Sequence, residues 1–171
     1  EILGEKQHGA VETFGYNLYM KMLNEEILKL KGENEEELED VNIELNFPRF
    51  LPDNYIEKNE KIKIYKRALA LKTFEELEEL HKELEDRFGR LKSEAKGFFE
   101  FLKIRIRARE LGIVSIKEDK EKRLLINFNE EKINVDKIIY LLANKKISYL
   151  KFTQTIGFEG DIFEFFDLYS N

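Results

Sequence analysis

Hydrophobic residues recur at three- and four-residue steps over residues 11–31, at Phe14, Leu18 and Met22 and again at Met20, Leu23, Ile27 and Leu30. That spacing predicts a helix, which Gly32 stops. Over residues 41–47 the period changes to two: Val41, Ile43, Leu45 and Phe47 alternate with Asn42, Glu44 and Asn46. Alternation predicts a strand with one buried face, ended by Pro48. Phe50, Leu51, Tyr55 and Ile56 follow around Pro48 and Pro52 and predict a loop pinned by buried aromatics. Residues 58–72 read as a helix with Ile62, Tyr65 and Leu69 on one face. Thr73 breaks it and opens the next through Thr-Phe-Glu-Glu, a capping box in which Thr73 accepts from the backbone and Glu76 reaches back. Leu77, Leu80, His81, Leu84 and Phe88 trace the apolar stripe of that helix, and Gly89 fits a left-handed residue past its end.

Residues 93–111 fit two templates. Ile104, Ile106 and Ala108 alternate with Arg105, Arg107 and Arg109, as in a strand. Phe98, Phe99, Phe101, Leu102, Ile104, Ala108 and Leu111 also satisfy helical spacing. Only Gly97 interrupts before Gly112, so the reading is one long helix. Residues 113–117 and 123–128 pair as a hairpin across a charged turn. Residues 135–143 form a short helix with Val135, Ile138, Ile139 and Leu142 on its inner side. Residues 148–152 form a further strand, and Asp161 caps a last helix with Ile162, Phe165, Phe166 and Tyr169 in step. The sum is an α+β fold: a small mixed or antiparallel sheet of about four short strands, packed with several helices and preceded by an N-terminal linker helix.

Composition narrows the class. The chain has 171 residues, 42% of them hydrophobic, enough for a packed core. It has no cysteine, which excludes disulfides and thiolate metal sites and fits a reducing compartment. No apolar run approaches the roughly 18 residues of a membrane span. The net charge of −6 argues against a dedicated DNA-binding domain, which is usually basic. Residues 33–40 carry acid without base and read as a solvated linker. The expected organisation is a linker helix over 1–32, an acidic linker over 33–40 and one domain over 41–171. The chain begins at Glu1 without a methionine and is expected to be a piece of a longer protein or a processed one.

Candidate chemistry is sparse. Gly4 and Gly9 stand in the frame of a phosphate-binding loop, but Ala10 and Val11 replace the lysine and hydroxyl that such a loop needs. His8 and His81 lie far apart, and His81 reads as a core-edge histidine rather than a ligand. Ser93, Ser115, Ser148 and Ser170 stand in no nucleophile motif. No catalytic residue and no metal site is assigned. What remains is charge geometry. Glu79, Glu83 and Asp86 share a helix face turned away from the leucine stripe. This is either a solvated face, softened by the pairs Glu78–Lys82 and Glu83–Arg87, or an acidic ridge for a basic partner. Lys103, Arg105, Arg107 and Arg109 could contact phosphate, yet they span several helical faces without an aromatic platform. They read as intramolecular partners for the neighbouring acidic helix.

Several segments resemble the transcription-repair coupling factors of bacteria. Leu3, Gly4, Gln7 and Gly9, then Gly15, Leu18 and Tyr19, match the end of that family's translocation motif, with His8 at the usual serine. The upstream Arg-Gly-x-Gly half of the motif is not in this chain. "VNIELNFPRFLPDNYI", "IYKRALALKTFEELEELHKELEDRFG" and "RARELGI" are similar to segments of the family's C-terminal domain in the same order, with Arg90 where a proline is common. The resemblance implies a double-stranded DNA translocase with a motor driven by ATP and magnesium. It implies that Gly4, Gln7 and Gly9 are a motif remnant, and that this chain needs no cofactor. It also implies a regulatory, non-catalytic domain that docks on the protein's own UvrB-like module and hides the UvrA-binding surface. RNA polymerase, UvrA and DNA are then partners of the parent protein, in the cytoplasm and away from membranes. An accessory DNA contact through residues 103–109 is the alternative.

Overall fold

The computed structural model describes residues 40–150 and 154–171. Gly4, Gln7, Gly9, the helix expected over 11–31 and all of the acidic run except Asp40 lie outside the described residues. Within them the chain forms β1 (Asn42–Glu44), α1 (Lys58–Leu69), α2 (Phe74–Phe88), α3 (Ser93–Glu110), β2 (Ile113–Glu118), β3 (Leu124–Phe128), α4 (Val135–Ala143), β4 (Ser148–Leu150), β5 (Thr155–Phe158) and α5 (Ile162–Ser170). The fold is α+β, with a five-stranded mixed sheet. The described residues fall into two compact units, one made of 47–103 and the other of 40–46 with 104–171. Helix α3 contributes its first part to one and its last part to the other.

The first unit is helical. Ile64, Tyr65, Ala68 and Leu69 form the buried side of α1, and Leu77, Leu80 and Leu84 that of α2. Each buried leucine contributes about 2 kcal/mol. Thr73 Oγ1 accepts from the Glu76 N–H at 3.2 Å, and the Glu76 carboxylate reaches the Thr73 hydroxyl rather than its amide. Gly89 ends α2 at φ +87°, a conformation that favours glycine.

The loop before α1 is tied to every helix of this unit. The Phe50 N–H donates to the Glu94 carbonyl at 3.1 Å, and the Leu51 N–H to the Tyr65 hydroxyl at 2.7 Å. The Tyr55 hydroxyl donates to the Gly89 carbonyl at 2.7 Å. Gly97 explains itself here: a Cβ on it would lie 1.8 Å from the Pro48 carbonyl oxygen. Lys61, buried on α1, donates to the Asp53 carboxylate in the same loop.

In the second unit the strands run in the order β1-β2-β3-β5-β4. β1 is parallel to β2 and the other pairs are antiparallel. Ile43, Ile116, Ile126 and Ile156 face one another across four strands, all buried. On the same face Phe128 meets Tyr169 of α5 at 4.8 Å, and Phe158 meets Phe165 at 5.5 Å. The opposite face is polar: Asn127 bonds Ser115 at 3.2 Å and Thr155 at 3.1 Å. One-sided burial is what the alternation in β1 anticipates, and it persists at Leu45 although the ladder stops at Glu44.

Two expectations need correction. The strand expected over 148–152 is present over Ser148–Leu150, with 151 and 152 outside the described residues, and a fifth strand, β5, was not foreseen. All four β5 residues are buried, so no alternation marks it, and Gly157 reads locally as a breaker. A Cβ there would lie 2.5 Å from Ser148 Oγ, so a larger residue would need that side chain to turn aside. In α4 the buried residues are Ile138 and Leu141, while Val135 and Ile139 are exposed. The inner side is thus turned by roughly a quarter of a helical turn from the expected one.

Gly97→Ala gains helix propensity but meets backbone rather than a yielding side chain, so it is expected to lower the melting temperature by about 5 °C or more, corresponding to about 2 kcal/mol. A thermal melt equal to the parent's would contradict the close approach. Asp53→Ala strands the buried Lys61 ammonium and is expected to cost about 2 kcal/mol in urea denaturation, with much of the loss restored in Asp53→Ala/Lys61→Met. The Lys61 hydrogen bond holds the Asp53 carboxyl below its usual range against the opposing effect of burial. This contribution is therefore present above the unfolded value near 3.8 and lost as pH falls through the lower folded value. Stability of Asp53→Asn is expected to fall less steeply with acid over that window.

Candidate docking surfaces

Helix α2 carries its acids opposite a buried stripe. Glu79 and Asp86 are exposed, and Glu83 is half-buried on the same side. The three are not equivalent. Glu83 accepts from Arg67 of α1 at 2.5 Å and lies 3.6 Å from Arg87, which in turn reaches Glu60 of α1 at 3.1 Å. This alternating chain of two acids and two bases joins α2 to α1, and it spends the charge of Glu83 inside the unit. The geometry separates a structural acid, Glu83, from two outward acids, Glu79 and Asp86. The Glu83–Arg87 pair is present as expected, whereas Glu78 and Lys82 form no ion pair among the described residues. Arg67 and Glu60 were not foreseen as partners, because nothing in local spacing links residues on different helices.

His81 sits at the core edge, half exposed, with its Nε2 2.5 Å from Glu85 and its ring 5.0 Å from that of Phe99. Glu85 also faces Tyr55, whose phenol is pushed above its usual range, first by burial and then by that carboxylate. Among the described residues no three His, Asp or Glu side chains gather to hold a metal ion, and no helix is long and apolar enough to cross a membrane.

The basic set on α3 does not form one surface. Arg105 is 2% exposed and its Nε donates to Asp40 at 3.0 Å, so it cannot reach a nucleic-acid phosphate in this fold. Lys103 lies 3.6 Å from Glu100, and Arg107 bonds Glu110 at 2.9 Å, each at i,i+3 spacing. Arg109 is half-buried, and its Nε and Nη2 find no hydrogen-bond partner among the described residues. Burial, followed by the charge of Arg105, holds its pKa below the usual value, with Asp40 acting the other way. Among the described residues Lys103 and Arg107 pair within α3 and Arg105 pairs with Asp40, rather than with the acidic helix as expected. The reason is that Ile104, Ile106 and Ala108 are buried together with Arg105, so this end of α3 is enclosed and its alternation does not report a strand.

The TRCF domain family matches residues 45–138. The chain is 38% identical over 171 residues to the transcription-repair-coupling factor of Escherichia coli (strain K12), covering 92% of this chain and 15% of that protein. It is 38% identical over 144 residues to the transcription-repair-coupling factor of Borreliella burgdorferi, covering 82% of this chain and 13% of that protein. The chain thus spans about a seventh of the length of these relatives. Its fold is similar to a crystal structure of the C-terminal domain of transcription-repair coupling factor, with a TM-score of 0.62 at 20% identity over 76% of this chain and 87% of that one. The segment order read from 41–113, the α+β fold and the family match agree: the chain belongs to the transcription-repair coupling factor family and carries its TRCF domain.

Proposed function

We propose that this chain is a regulatory interaction domain of a transcription-coupled DNA repair translocase, docking on the parent's UvrB-like module, masking UvrA binding and restraining the motor. The outer face of α2 carries this reading. Glu79 and Asp86 stand exposed and outside any ion pair among the described residues, on a helix that Leu77, Leu80, Leu84 and the Glu83 network hold in place. A fixed row of carboxylates offers a basic partner orientation and specificity more than raw affinity. Tethering through the acidic segment over 33–40 raises the effective concentration, so weak contacts suffice. A few kcal/mol of competing interaction then releases the domain.

On this reading the domain begins near residue 41 and contributes no catalytic residue and no cofactor. ATP and magnesium serve the parent's motor, which grips DNA in the cytoplasm, and the parent meets RNA polymerase and UvrA. Direct DNA contact through α3 is the poorer reading, because Arg105 is buried and the charges of Lys103 and Arg107 are already met.

In the full-length parent, Glu79→Lys combined with Asp86→Lys is expected to raise both UvrA affinity and basal ATPase rate about tenfold, equivalent to about 1.4 kcal/mol of lost docking. Unchanged values for both, in a variant whose melting temperature matches the parent's, would sink the assignment of α2. Glu83→Lys is unsuitable for this test, since it places a third cation between Arg67 and Arg87.

A further inference from the structure

Arg109 stands on the last turn of α3, half-buried, with its Nε and Nη2 sealed from solvent and without a hydrogen-bond partner among the described residues. These two atoms belong together. They form one edge of the planar guanidinium, and two parallel N–H bonds on one edge match the two oxygens of a single carboxylate. Two donors left buried and unmet cost free energy that native folds ordinarily recover. The helix supplies no acid for them. Four residues back stands another guanidinium, Arg105, and Glu110 accepts from Arg107 at 2.9 Å. A base in the last turn suits the helix dipole, but that benefit needs only the charge and not its enclosure.

The carboxylate beside this pair is that of Asp40, which accepts from Arg105 Nε at 3.0 Å and acts on Arg109 only as a favourable charge. Asp40 ends the acidic run, and Glu39 directly precedes it. We infer that Glu39 accepts a two-pronged hydrogen bond from Arg109 Nε and Nη2, so that Asp40 and Glu39 clip the acidic run onto successive turns of α3. Residues four apart on a helix lie about 6 Å from one another on one face. Adjacent Cα atoms of an extended chain are about 3.8 Å apart, and the extra methylene of glutamate spans the difference. Because Asp40 is already held, seating Glu39 orders little further chain, whereas Glu33, Glu35, Glu36 and Glu37 each close a longer loop. The sealing of both donors also points to a partner within the fold rather than to an anion arriving from solution. The clip fixes where the acidic run leaves the domain and so shortens the free tether. That consequence for the tether rests on the docking proposed above, while the contact itself does not.

A double-mutant cycle on the 171-residue chain tests the clip by thermal melting, together with NMR of the arginine side chains. Arg109→Met and Glu39→Gln are each expected to lower the melting temperature by about 3 °C, and the pair by no more than either alone. Arg109→Lys keeps the charge without the fork and should recover only part of the loss. In the unmodified chain the Arg109 Nε–H should exchange slowly with water, and Glu39→Gln should speed that exchange at least about tenfold. Additive losses, a higher melting temperature for Arg109→Met, or an exchange rate indifferent to Glu39→Gln would overturn the inference. It would also be overturned if Glu37→Gln carried the loss in place of Glu39→Gln. Binding of a labelled DNA duplex that Arg109→Met abolishes would overturn it in favour of a phosphate. None of these readouts involves α2, so failure here is distinct from failure of the docking proposal.

Discussion

The helical unit depends on one close approach: the Pro48 carbonyl oxygen lies against α3 where only a hydrogen fits, at Gly97. That contact sets the loop on the helix, and three hydrogen bonds then tie the loop to the three helices. Phe50 bonds the first turn of α3, Leu51 bonds Tyr65 of α1, and Tyr55 bonds Gly89 at the end of α2. Here the Tyr65 hydroxyl accepts from the Leu51 N–H of the loop, and the Tyr55 hydroxyl of the loop donates to the carbonyl that ends α2. The same loop carries Asp53, which neutralises the buried Lys61. With the end of α2 held by Tyr55 and its inner stripe packed, which acids face outward is settled by the fold.

Charge is used in two ways in this molecule. Glu83, Arg67, Arg87 and Glu60 satisfy one another and join two helices, and Arg105 is enclosed against Asp40. Such pairs fix geometry and leave little to offer a partner. Glu79 and Asp86, by contrast, keep their hydration and their field. The unpaired charges, rather than the densest ones, mark the surfaces on which recognition is proposed.

The elements that local pattern revealed are those whose signal is local. The Thr73 cap, the leucine stripe of α2, the β2–β3 hairpin and the buried face of β1 follow from spacing alone. β5 did not, because a strand buried at every position has no alternation and its glycine reads locally as a breaker. The facing of α4 did not either. A helix apolar around most of its circumference has no unique inner side until its neighbour α5 is in place. Of the acidic ridge, position was legible and availability was not, since the arginine that engages Glu83 most closely comes from another helix. The translocation-motif positions Gly4, Gln7 and Gly9 lie outside the described residues, so their reading rests on sequence resemblance.

The central claim is that α2 presents a fixed acidic face to a basic surface elsewhere in the parent protein. Isothermal titration of this chain against the isolated UvrB-like module, at low and at high salt, tests it most directly. The account predicts measurable binding at low salt that weakens as salt screens the contact and vanishes when Glu79 and Asp86 are reversed. Absence of binding at low salt, or binding indifferent to both salt and reversal, would contradict it.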